Sequence, residues 1–154
     1  MQIRIEAVDL PGLSCGPGPD APDGHHHVHV GVQRRNRPHE LLGLVAGNSP
    51  TARWTLECAT LVSPSGVDLK GPHIQGPPGS RFIYLSWVDG DATGDPVMFR
   101  RAKLWLDAIA ASVLERAVHQ GALIGRLGLT DPAGNPLCAS VRPPLIEWSA
   151  GASE

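Results

Sequence analysis

Asp95–Gln120, DPVMFRRAKLWLDAIAASVLERAVHQ, is the stretch whose reading decides the fold class. Asp95 followed by Pro96 supplies an N-cap and a first-turn residue of fixed φ. Phe99, Ala102, Leu106 and Ile109 then recur at helical spacing, with Arg100, Arg101 and Lys103 turned outward. This pattern predicts a helix. Ser112 with Glu115 three residues later is a capping-box pair, and Gly121 directly after Gln120 suits a left-handed stop, so a second short helix is predicted to follow. Together they predict a helical hairpin over about 96–120.

Working outward, Arg81–Val88 (RFIYLSWV) opposes Phe82 and Tyr84 to Ile83, Leu85 and Trp87, and a run apolar on both faces predicts a central strand. Gly76, Pro77, Pro78 and Gly79 form a rigid turn ahead of it. Trp54, Leu56 and Cys58 alternate with Thr55 and Glu57, and Pro64, Ser65 and Gly66 turn into a poorer strand around Val67–Ile74. Leu41–Val45 reads as a short helical turn or a buried edge segment. His27–Arg34 has a period of two, with Val28, Val30 and Val32 on one face, and residues 2–8 alternate as a strand. Residues 11–24 are rich in Pro, Gly, Asp and Ser and read as a flexible loop. After the helices, Leu123–Leu129 and Leu137–Val141 flank a turn-rich loop and predict a β-hairpin, Ile146 and Trp148 resume the alternation, and the tail 149–154 is expected to fray. The sum is one α+β domain over 1–154, a mainly antiparallel sheet or open barrel of about seven strands with the helical hairpin packed on one side.

Composition narrows the function classes. A chain of 154 residues, 42% hydrophobic and 18% charged, can bury its own core. Basic residues number 13 against 15 acidic, and a net charge of -2 argues against a nucleic-acid partner or an anionic membrane surface. The N-terminus carries no signal-peptide pattern, and no run approaches the roughly 20 apolar residues of a membrane helix, so a soluble cytoplasmic protein is expected. Cys15, Cys58 and Cys138 form no Cys-x-x-Cys pair, which fits a reducing compartment. Cys58 and Cys138 read as small buried residues rather than reactive thiols.

Several segments together, His29–Arg35 (HVGVQRR), Ala52–Glu57 (ARWTLE), Phe82–Trp87 (FIYLSW), Phe99–Ile109 (FRRAKLWLDAI) and Gly125–Trp148 (GRLGLTDPAGNPLCASVRPPLIEW), resemble an uncharacterised, mainly actinobacterial domain-of-unknown-function family, series 5990. The likeness spans nearly the whole chain. It implies a bacterial single-domain protein and brings no activity, cofactor or catalytic residue with it.

Two constellations bear on chemistry. His25, His26, His27, Val28 and His29 include positions two apart on a strand, which point the same way about 6.6 Å from each other along its axis. His27 and His29 can therefore converge on zinc or another divalent transition metal, with His25 joining if the strand extends back and Gln33 on the same face as a weak ligand. The third and fourth ligands are not placed by sequence, and a solvated histidine-rich strand end beside a flexible loop is the favoured reading of the same residues. Arg34, Arg35, Arg81, Arg100, Arg101, Arg126 and Arg142 form the second constellation, suited to an anionic ligand or to salt bridges with Glu6, Glu57 or Glu147.

No Gly-x-Ser-x-Gly elbow, phosphate loop, zinc-protease helix or dinucleotide fingerprint is present. The leading reading is accordingly a non-catalytic small-molecule-binding or accessory domain needing no cofactor. Its pocket is expected between the central strand and the first helix, with Tyr84, Trp87 and Arg101 at the edge. A histidine-cluster metal protein and a structural, homo-oligomeric subunit stand as the alternatives, and enzymatic activity is left open.

Overall fold

The computed structural model describes residues 1–8, 28–46, 51–89, 97–128 and 146–154. These contain ten strands and one helix: β1 (Gln2–Val8), β2 (Val28–Arg34), β3 (Arg37–Ala46), β4 (Thr51–Glu57), β5 (Ala59–Ser63), β6 (Gly66–Lys70), β7 (Phe82–Asp89), β8 (Val97–Trp105), α1 (Ala111–Gln120), β9 (Gly121–Gly128) and β10 (Ile146–Ala152). They form one four-stranded sheet in the order β10-β9-β1-β4, a second in the order β3-β2-β7-β8, and a β5-β6 hairpin. All pairs are antiparallel except β1 with β9, which run parallel.

Alternation explains why the sheets face each other. In β1, Ile3, Ile5 and Ala7 are buried, and in β4 so are Ala52, Trp54 and Leu56; the alternate β4 residues are exposed, while Arg4, on the opposite face of β1, is covered as well. Val30 and Val32 of β2, Ile83, Leu85 and Trp87 of β7, and Leu104 of β8 supply the other half of the same hydrophobic cluster. Both sheets therefore share one core, as period-two patterning requires when each has an apolar face.

The segment that decides the fold class contradicts the helical reading over its first half. Residues 97–105 are strand β8, paired with β7 in the register Phe82↔Trp105, Tyr84↔Lys103 and Ser86↔Arg101. Two periods coexist there: Leu104 and Leu106 are buried while Arg101, Lys103 and Trp105 point out, so the segment also satisfies a period of two. What selects the strand is β7, whose second edge needs backbone partners that a helix cannot supply. Asp95 and Pro96 lie outside the described residues. The one helix among the described residues, α1, starts from Ala110 without a side-chain cap, so Ser112 and Glu115 both lie inside the helix and do not cap it. Its end is as the sequence predicts: Gly121 takes φ 106° and its N–H donates to the Ala117 carbonyl. A helix, not a helical hairpin, thus packs on β9 and β10 and reaches β6. There are ten strands rather than about seven, and no closed barrel among the described residues.

Other expectations shift for local reasons. Leu41–Val45 is neither helical nor buried; it belongs to the edge strand β3, with Leu42 39% and Leu44 50% exposed. Gly43 kinks this strand at φ +64°, and a Cβ there would stand 2.6 Å from Cδ1 of Trp54. The close approach lets Trp54 Nε1 donate to the Gly43 carbonyl at 2.7 Å, which ties β4 of one sheet to β3 of the other. The poorer strand around Val67–Ile74 is real only over Gly66–Lys70, after which Gly71–Ile74 turns. Residues 149–152, read as the start of a frayed tail, pair with β9 as far as Ala152↔Gly121. Glu154 then forms ion pairs with Arg4, at 3.5 Å, and with Arg53. The loop at 11–24 and the strand at 137–141 lie outside the described residues.

Candidate functional site

Where α1, β6 and the start of β7 meet, a cleft of about 350 Å³ opens, within the size range of small-molecule sites. Val67 and Leu69 of β6, Leu106 and Ile109 of the β8–α1 connection, and Leu114 of α1 give it apolar walls. The β6 strand and the helix come together because Ala117, fully buried, lets α1 approach the core closely.

Arg81 and Asp68 close one side. Arg81 Nε and Nη2 donate to the two carboxylate oxygens of Asp68 at 3.1 and 3.2 Å, a bidentate pair, and Nη1 donates to the Gly76 carbonyl. The Pro77–Ser80 turn and the Gln75–Phe82 bridge aim that carbonyl. The Arg81 hydrogen bond holds the Asp68 carboxyl below the usual carboxylate range, with burial opposing it and Coulombic attraction adding to it. Asp107 and Glu115 line the same cleft and form no ion pair or side-chain hydrogen bond with the other described residues. Among the described lining residues, three carboxylates against one guanidinium leave the cleft net negative, and the guanidinium is already spent on Asp68.

The residues named from sequence fall elsewhere. Tyr84 and Arg101 do meet, the guanidinium standing 5.2 Å from the ring centroid on the outer face of the second sheet. Trp87 is three residues from Tyr84 along one strand and so faces the opposite way, into the core, fully buried. Its indole N–H has no hydrogen-bond partner among the described residues, whereas a buried Trp usually keeps that donor bonded. None of the three lines the cleft. His29 is half-buried on β2 between Ala46 and Val88, whereas His25 and His27 lie outside the described residues. Gln33 is buried and accepts from Ser86 Oγ at 3.4 Å. No group of three metal-ligating side chains occurs among the described residues.

Arg126 binds Glu6 at 3.3 Å, the partner expected for an arginine of that constellation, and Arg34 binds Glu40 at 3.2 Å. Burial pushes the Cys58 thiol up to about 11, with the N-terminal charge opposing and Glu57 adding to the shift. Sequence reasoning missed Asp68, Asp107 and Glu115 because each sits in a segment read for packing or capping. The one available signal was Arg81 directly before an apolar strand, a position where a buried cation needs a carboxylate partner.

A family model described as "Family of unknown function (DUF5990)" matches residues 1–151. No curated protein and no solved structure matches the chain.

Proposed function

The chain belongs to the DUF5990 family of unknown function, and from that premise we propose that it is a non-catalytic binding protein whose cleft takes a small molecule with a cationic head and an apolar body. The observation that carries this reading is the pairing of apolar walls with Asp107 and Glu115, two carboxylates that have no partner among the described residues. An ammonium or guanidinium group would satisfy them while its hydrocarbon part covers Leu69, Leu106 and Leu114. Arg81 supports the site as a wall, since its charge is satisfied by Asp68 and the Gly76 carbonyl.

Binding without chemistry is favoured by what lines the cleft. No histidine or cysteine is among its described lining residues, and Ser65 Oγ is hydrogen-bonded with Ser63 Oγ at 2.7 Å. A serine without a base is a poor nucleophile.

The test is a thermal-shift comparison of alkylammonium and alkyl carboxylate ligands of equal chain length. At a hundredfold excess over Kd a ligand stabilises by about 2.7 kcal/mol, or roughly 5–10 °C in a chain of this size. The ammonium series is expected to raise Tm, with the shift removed in the Asp107→Asn, Glu115→Gln double variant. Equal shifts from both series, or a shift that survives the double variant, would sink the reading.

A further inference from the structure

We infer that strand β5, Ala59–Ser63, is the pairing edge of a two-fold symmetric dimer, its partner being β5 of a second copy of this chain. Among the described residues β5 pairs with β6, in a regular register from Ala59↔Lys70 to Ser63↔Gly66. Ser63 and Gly66 flank the two-residue turn Pro64–Ser65 and therefore exchange both backbone hydrogen bonds. By alternation Leu61 and Ala59 also face β6, which turns the N–H and C=O groups of Thr60 and Val62 to the other edge. None of those outward groups has a partner among the described residues. Leu61 and Val62, 55% and 69% exposed, stand on opposite faces of the same short ribbon. Natural edge strands are protected by charge, proline or a bulge, and the stretch ATLVS in a regular register has none of these.

A second copy is the occupant because β5 is complementary to itself in one register. Antiparallel pairing centred on Leu61 sets Thr60 of each copy opposite Val62 of the other, so the outward groups of both strands bond one another and the two Leu61 side chains meet at the axis. A slip of one residue would oppose outward groups to inward ones and form no ladder. A longer slip one way needs the Cys58 backbone, whose N–H and C=O are both bonded to Met1, at 3.0 and 3.1 Å. A longer slip the other way needs Pro64, which lies in the turn and has no N–H. The strand carries no charge, so the symmetric pairing opposes no like charges. It also joins two ribbons of two strands, marginal by themselves, into a four-stranded sheet in the order β6-β5-β5-β6, and the two-fold operation closes the assembly. So short an edge buries less than a standard interface, which puts association in the micromolar range or weaker.

The experiment is sedimentation velocity of the tag-free full chain from about 10 μM to about 1 mM, over which monomer is expected to give way to dimer. Leu61→Lys sets like charges together at the axis and should weaken association at least about tenfold, with the far-UV spectrum kept because the side chain is exposed. Oxidative cross-linking in a Cys15→Ser, Cys138→Ser background reads the register. With Leu61→Cys the two introduced thiols face each other across a non-hydrogen-bonded pair, Cα atoms about 4.5 Å apart, and should form an intermolecular disulfide. With Ser63→Cys they stand about 14 Å apart along the strands and should not. A monomer at about 1 mM, a dimer indifferent to Leu61→Lys, or cross-linking at position 63 equal to that at 61 would each overturn the assignment. These outcomes are independent of the amine-binding test, since no residue of β5 lines the cleft.

Discussion

Replacing Asp68 by Asn tests whether the Arg81 pair holds the cleft together. The carboxylate accepts two hydrogen bonds from one guanidinium, and the side chains are 13% exposed for Arg81 and 23% for Asp68. Fully exposed pairs contribute about 0.2–1 kcal/mol, and removing one partner of a fully buried pair costs about 3–5 kcal/mol. This pair is mostly covered but borders an open cleft, so a loss of about 2 kcal/mol is expected, equivalent to roughly 4–8 °C in Tm. Asn keeps the shape while turning an N–H toward the guanidinium, which leaves a covered cation without its counter-charge. The Arg81→Met variant should cost less, because the more exposed Asp68 can hydrate through the cleft, and the double variant should cost less than the sum of the singles. The pH dependence has a definite sign. The folded carboxyl of Asp68 titrates below its unfolded value of about 3.9, so its contribution is complete above that value and is lost as pH falls through the depressed folded one. Urea unfolding of wild type and Asp68→Asn, followed by far-UV circular dichroism from neutral to acid pH, measures both effects. A difference below about 0.3 kcal/mol at neutral pH, or one that grows toward acid, would refute the reasoning.

Two further perturbations probe the core. Gly43→Ala forces a side chain into a left-handed position and against the Trp54 indole; strain and overpacking together should cost about 2–5 kcal/mol, and a Trp54→Phe background should recover part of it, which a double-mutant cycle in urea would read. The Cys58 thiol, raised to about 11 by burial, should resist disulfide reagents at mildly alkaline pH in a Cys15→Ser, Cys138→Ser background, until urea unfolds the chain. The sign for stability follows from the raised value: the neutral thiol's contribution is present below about 8.5 and is lost as pH rises toward about 11, so unfolding at stepped alkaline pH should show an extra loss that Cys58→Ala lacks.

Much of the architecture was legible before any coordinates. Strict alternation in Gln2–Val8 and Thr51–Glu57, the doubly apolar Phe82–Val88 run, and the Gly121 stop after α1 all follow from local rules of side-chain period and backbone freedom. These rules act within one segment and so can be read along one chain. The site was less legible. Tyr84, Trp87 and Arg101 were expected together at the edge of a pocket; Tyr84 and Arg101 stand together on the outer face of the second sheet, away from the cleft, and Trp87 belongs to the other face by simple parity.

What the amino-acid order determined by itself is a β-rich chain with one core, a central β7 and a helix ending at Gly121. Only the tertiary structure decided that residues 97–105 are strand, since their apolar positions suit both periods and the choice rests on the unpaired edge of β7. The tertiary structure likewise decided that Asp68, Arg81, Asp107 and Glu115 share a cleft, because packing of α1 beside β6 joins residues that no local pattern relates.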